Sequence, residues 1–167
     1  MKIYNLIAIV TFLISGCSTT PYKGPASGPT ATLQIQETRG NVRFAGKLYS
    51  PVPSNIALFD LDNQGCVTGM NSGKPIGKDI ISRNGLVKVP VNKLMAIMMD
   101  FSDDRSSCST MQAIQFEAKS DYAIQPIYPK QEPFQRAKCS FAILKNGTPV
   151  PTKKVESHGL TSACIKH

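Results

Sequence analysis

Beyond about residue 30 the chain repeats a two-residue rhythm. Leu33 and Ile35 alternate with Gln34 and Gln36, Ile114 and Phe116 with Gln115 and Glu117, and Cys139, Phe141 and Ile143 share one face. From Val42 to Leu48 the positions Val42, Phe44, Gly46 and Leu48 alternate with Arg43, Ala45 and Lys47. Successive side chains of an extended chain point to opposite faces, so each run predicts a strand with one wet side and one buried side. Two other stretches, Ile56 to Leu61 and Leu94 to Met99, are apolar on both faces and read as central strands. For the second stretch a short helix capped by Asn92 and running through Met98 is the alternative.

Turn signals separate the runs. Asn84-Gly85 stands between Asp79–Ser82 and Leu86–Val91, and Asn146-Gly147 between Cys139–Lys145 and Val150–Val155. Asn-Gly is the pair a tight type I′ hairpin prefers, because both central residues need φ > 0. No internal repeat is present. Roughly seven or eight short antiparallel strands with frequent turns predict an all-β domain over residues 33–167, a β-sandwich of immunoglobulin-like or transthyretin-like plan. A small closed β-barrel is the alternative.

The opening residues obey a different rule. Lys2 precedes a run from Ile3 to Ile14 that is apolar except for Tyr4, Asn5 and Thr11. A membrane-spanning helix needs about 20 apolar residues, so the run is too short to span and suits an export signal over residues 1–16. It ends Ile14-Ser15-Gly16-Cys17. This tetrapeptide resembles the lipobox of bacterial lipoprotein precursors, and the resemblance covers residues 1–17 alone. It implies cleavage before Cys17, a diacylglycerol on the Cys17 thiol, and acylation of the new amino group. Several chains are needed because each buried methylene contributes about 0.8 kcal/mol and one chain anchors only marginally. Ser18 stands where an aspartate would favour inner-membrane retention, which implies the outer membrane. Residues 18–32 are rich in proline, glycine and small polar residues and predict, after the lipidated Cys17, a flexible tether spanning about 20 Å.

Charge and cysteine content sharpen this picture. The chain of 167 residues carries a formal charge of +8. Its lysines and arginines are scattered, with no basic run interleaved with aromatics, so nucleic acid is not an expected partner. For an exported protein the balance suits a mild attraction to anionic lipid heads, lipopolysaccharide or peptidoglycan, or simply a solvated positive surface. With Cys17 assigned to lipid, Cys66, Cys108, Cys139 and Cys164 remain. Four thiols in an oxidising compartment predict two disulfides, and no two of them have the close spacing of zinc ligands. Three connectivities are possible. Cys66–Cys108 with Cys139–Cys164 closes the shortest loops and is preferred on that ground.

Candidate chemistry is sparse. His158 and His167 fit no metal or protease spacing, and no G-x-S-x-G elbow is present. Asp60-Leu61-Asp62-Asn63-Gln64-Gly65 opens like a calcium loop, but its third ligand position is Gln64 and its twelfth is Asn71. A turn explains it equally well. Asp100, Asp103, Asp104 and Arg105 predict a charged loop. Met95, Met98 and Met99 alternate across a strand and so do not converge on a soft metal. Tyr122, Tyr128 and Phe134 flank Pro126, Pro129 and Pro133. These aromatics suit a sugar or partner contact, or the rim of the core, with Pro126 marking an edge strand.

No catalytic residue, metal site or cofactor is therefore expected. The expected role is an outer-membrane lipoprotein whose domain faces the periplasm and serves as a non-catalytic interaction or envelope-assembly module. The architecture is similar to that of tethered sandwich lipoproteins of secretion and conjugation machines. An inhibitor or immunity protein against a wall-degrading enzyme, and a carrier of a small ligand or glycan, are the alternatives.

Overall fold

The computed structural model describes residues 21–36, 42–44, 47–49, 53–69, 72–77, 85–102, 107–127, 139–158 and 162–166. The chain is all-β and folds as two sheets facing each other, as the alternation predicts. The described strands are β1 (Thr30–Ile35), β2 (Val42–Phe44), β3 (Lys47–Tyr49), β4 (Pro53–Asp60), β5 (Cys66–Thr68), β6 (Lys74–Pro75) and β7 (Leu86–Pro90). After them come β8 (Leu94–Ser102), β9 (Ser107–Gln115), β10 (Asp121–Ile127), β11 (Ser140–Lys145), β12 (Thr148–Pro149), β13 (Lys153–His158) and β14 (Ser162–Ile165).

A front sheet has the order β12-β11-β10-β1-β7, and a longer, curled sheet the order β5-β14-β13-β9-β8-β4-β6. Among the described strands pairing is antiparallel except that β1 runs parallel to β10, with Leu33 opposite Tyr122 and Ile35 opposite Ile124. A parallel neighbour is distant in sequence, so alternation alone does not reveal it. The run from Val42 to Leu48 is not one strand: β2 and β3 pair with each other, Phe44 opposite Lys47.

The two doubly apolar stretches are central strands, β4 and β8, and their two faces fill different cores. Ile56, Leu58, Met95, Ile97 and Met99 point between the sheets, against Leu33, Ile35, Val89, Ile124, Phe141 and Ile143. Ala57, Phe59 and Ala96 point the other way and meet Val67, Met111, Val155, Ala163 and Ile165. The second cluster exists because the long sheet curls. β13 joins β9 through Lys153 and Lys154 only, then turns away to pair with β14, which brings β14 and β5 over the far face of β4 and β8. Alanines at 57, 96, 113 and 163 keep that inner surface thin enough for Phe59 and Met111 to fit. A buried Phe59 stabilises by about 1.5–3 kcal/mol relative to an exposed ring. At Gly73 a Cβ would stand 2.6 Å from Phe59 Cε1, so only glycine lets the chain pass over this ring.

The helix alternative for residues 92–98 fails. Asn92 adopts φ 58°, which ends any helical start, and its N–H donates to Phe116 O at 3.1 Å as the chain crosses from the front sheet into β8. The Asn146-Gly147 turn forms as expected, with φ 50° and 83°. Its second arm is short. Pro149 ends β12, and after Pro151 the chain leaves for the curled sheet as β13, so Val150–Val155 is not a continuous strand. Asn84-Gly85 lies in part outside the described residues.

The disulfide pairing and the tether also need correction. The disulfides are Cys66–Cys164 and Cys108–Cys139, not the pairing that closes the shortest loops. Cys66 and Cys164 face each other on β5 and β14 with Cα atoms 4.0 Å apart. Cys108 on β9 reaches Cys139 at the start of β11 across 6.0 Å, stapling one sheet to the other. Strand pairing set the first bridge and the stacking of the two sheets the second; loop length set neither. The tether is also shorter than its composition suggests. β1 starts at Thr30, and Tyr22 is docked: its N–H donates to Pro75 O and its hydroxyl to Lys88 O, each at 2.8 Å. Residues 21–25 thus form a strap between β6 and β7, the neighbouring edge strands of the two sheets, with the Tyr22 ring against the inter-sheet core.

Candidate functional site

The sandwich opens where β9 and β13 diverge from β11. A cleft of about 420 Å³ lies there, lined by Thr110, Gln112, Ser140, Thr152 and Lys154 above an apolar floor that includes Ile143 and Val150. Gln112 organises it. Its Nε2 donates to Phe141 O at 2.6 Å, and its Oε1 accepts from the Thr152 hydroxyl at 2.5 Å. Gln112 thereby covers a carbonyl of β11 where β12 is too short to do so, and it holds the two sheets at a fixed separation beside the Cys108–Cys139 bridge. The wall presents hydroxyls, an amide and one ammonium group. Such a wall can hydrogen-bond a neutral or anionic group, and its ammonium, Lys154, is already paired with Glu156 at 2.8 Å.

The residues singled out from sequence have structural duties. Asp60 pairs with Lys93 at 2.8 Å and with Lys74 at 3.7 Å, and the Lys93 hydrogen bond is the main cause holding its carboxyl below the usual range. Asp62 Oδ1 accepts the N–H groups of Gln64 and Cys66, both at 2.9 Å, an arrangement that builds the turn into β5. The calcium-like stretch is therefore a turn in which Asp60 and Asp62 already have partners. Asp100 accepts from Asn55 Nδ2 at 3.1 Å and from the Ser109 hydroxyl at 2.6 Å. Met95 and Met99 lie in the inter-sheet core and Met98 packs on the opposite cluster, as alternation requires.

Tyr122 is a core residue. Its ring meets Phe116 edge-on at 4.9 Å, and its hydroxyl accepts the Glu117 N–H at 3.1 Å. Pro126 is not on an edge strand, since β10 lies between β1 and β11. Its missing donor is still accommodated. Gln36 N–H donates to Ile124 O, and the next parallel rung would need an N–H at position 126, so β1 pairing stops where proline begins. Cys17, Asp103, Asp104, Arg105, Tyr128, Pro129, Phe134, Pro133 and His167, and the side chain of His158, lie outside the described residues.

Two surfaces were not legible in the sequence. One is the outer face of the front sheet. A row across it reads Leu86, Gln34, Ala123 and Leu144, with Gln125 and Ala142 beside it, all uncharged. Leu86 and Ile127 are its exposed large apolar side chains, at 66% and 45%. The other is the strapped edge, where Tyr22, Lys88 and the Asp60–Lys74–Lys93 group converge. Burial, with Asp60 as the second cause, pushes the Tyr22 hydroxyl up to about 12. The signal for Tyr22 was present, because it is the one aromatic in an otherwise small and polar segment. Comparison with protein-family models, with curated proteins and with solved structures finds no match to this chain.

Proposed function

We propose that the chain is an exported lipoprotein, acylated on Cys17 and held at the outer membrane with its domain in the periplasm, where it docks an envelope protein without catalysing a reaction. The observation that carries the docking role is the outer face of the front sheet. Its uncharged rows, with the exposed Leu86 and Ile127, adjoin a charged row of Lys88, Thr32 and Asp121, an apolar patch with a polar rim that suits a protein contact. Two disulfides suit an oxidising compartment. Two filled cores and a cleft lined mainly by hydroxyls and amide give no support to an apolar-ligand carrier.

Two experiments test this. The first is palmitate labelling with globomycin sensitivity; a Cys17→Ser form that still labels refutes the anchor. The second is recovery of the acylated protein from membranes with its partners. A stoichiometric envelope protein that is retained by the wild type and lost by Leu86→Glu with Ile127→Glu supports the reading. Retention by that variant overturns the choice of face. The cleft favours one further reading, a carrier of a small glycan, tested by titrating soluble peptidoglycan fragments onto the domain and onto Gln112→Leu.

A further inference from the structure

The strap limits how the domain stands on a membrane. From Cys17 to the docked Tyr22 there are five residues, and a fully extended chain advances at most about 3.6 Å per residue. The docked Tyr22 backbone therefore lies within about 18 Å of the Cys17 backbone, and the strapped edge is the first described part of the domain that the chain reaches from the anchor. That edge is basic. Lys23, Lys74, Lys88 and Lys93 are exposed along it, on the strap, β6, β7 and the turn that follows β7. The acid joined to them is Asp60, shared by Lys74 and Lys93, while Asp62 is turned onto the amides of its own turn. Four lysines against the two carboxylates of Asp60 and Asp62 leave a net positive edge facing the leaflet that holds the anchor.

We propose that this edge binds the phosphate-bearing headgroups of anionic phospholipids, so that the acyl anchor and the lysines together fix the orientation of the domain. The proposal rests on acylation of Cys17. With the strapped edge on the membrane, the outer face of the front sheet stands beside the leaflet instead of against it, open to a partner. Each lysine near an anionic surface strengthens binding about fivefold, and the effect fades beyond a screening length of about 8–10 Å in physiological salt. An edge tied this close can exploit it; a domain on a long free coil would spend little time within that range.

The test uses the mature chain, residues 17–167, with Cys17→Ser, which keeps every described residue and both disulfides. Co-sedimentation is measured with vesicles of phosphatidylcholine alone and of phosphatidylcholine with phosphatidylglycerol, at low and high salt. Binding is expected only to the anionic vesicles, and it is expected to fall at high salt. Lys23→Glu with Lys88→Glu, which leaves the Asp60 pairs intact, should weaken it at least 20-fold. Lys74→Gln with Lys93→Gln should weaken it in the same direction. Lys153→Glu with Lys154→Glu, on β13 in the curled sheet, should change it less than threefold. Absence of binding to anionic vesicles, or equal loss in both glutamate pairs, overturns the proposal. Acylation is read separately by labelling of the wild type, so the two readings fail independently.

Discussion

Replacing Cys66 and Cys164 with serine removes the outer of two nested bridges, and the cost can be worked from the chain. The Cys66–Cys164 loop spans 98 residues and encloses the Cys108–Cys139 loop of 31. With the inner bridge intact, the outer one closes an effective loop of about 67 residues, because the inner bridge short-circuits the rest. Loop-closure entropy then gives about 4.4 kcal/mol at 25 °C for the outer bridge and about 3.7 kcal/mol for the inner one. The inner bridge has a second duty, because it joins the sheets beside Gln112, whereas the outer one pins the short edge strand β5. Denaturant unfolding of the Cys66→Ser/Cys164→Ser and Cys108→Ser/Cys139→Ser proteins should show losses of about 2–5 kcal/mol in both cases. The pairing itself has a sharper readout. In the single variant Cys66→Ser, alkylation without reductant should modify Cys164 and leave Cys108 and Cys139 protected. Modification of Cys108 instead would refute the strand-pairing argument, and a loss below about 1 kcal/mol in either double variant would refute the entropic one.

Gly73→Ala should destabilise by about 1–3 kcal/mol, because the new methyl group collides with a buried ring that has no room to retreat. Combined with Phe59→Leu the loss should be smaller than the sum of the two single losses, as measured by a double-mutant cycle of unfolding. The Tyr22 hydroxyl ionises near 12 in the folded chain against 10.0 ordinarily, so its share of stability is present below pH 10 and is lost as pH rises towards 12. Tyr22→Phe should abolish that part of the alkaline loss, followed by melting temperature between pH 9 and 12, and should cost about 1 kcal/mol at pH 7 through the missing bond to Lys88 O. Gln112→Leu should open the cleft and cost about 1–3 kcal/mol, because the hydroxyl of Thr152 and the carbonyl of Phe141 both lose a partner.

Much of the fold could be read in advance, for a local reason. Side-chain alternation is a property of the extended backbone, so Leu33–Ile35, Phe141–Ile143 and the doubly apolar Ile56–Leu61 declared their strands and faces without reference to neighbours. Asn146-Gly147 declared its hairpin because φ > 0 is a demand on single residues. Neighbour identity is different, because it is settled by which surfaces can be covered together. The parallel pairing of β1 with β10, the curl that brings Val67 and Ala163 over Phe59, and the pairing of Cys66 with Cys164 across most of the chain all arise from long-range packing. The strap shows the division most plainly. Its prolines and glycines describe a leash, and as a free peptide it would be one. Only the assembled edge of two sheets offers Tyr22 a core to enter and the Pro75 and Lys88 carbonyls to bond, which offsets the entropy of holding it still.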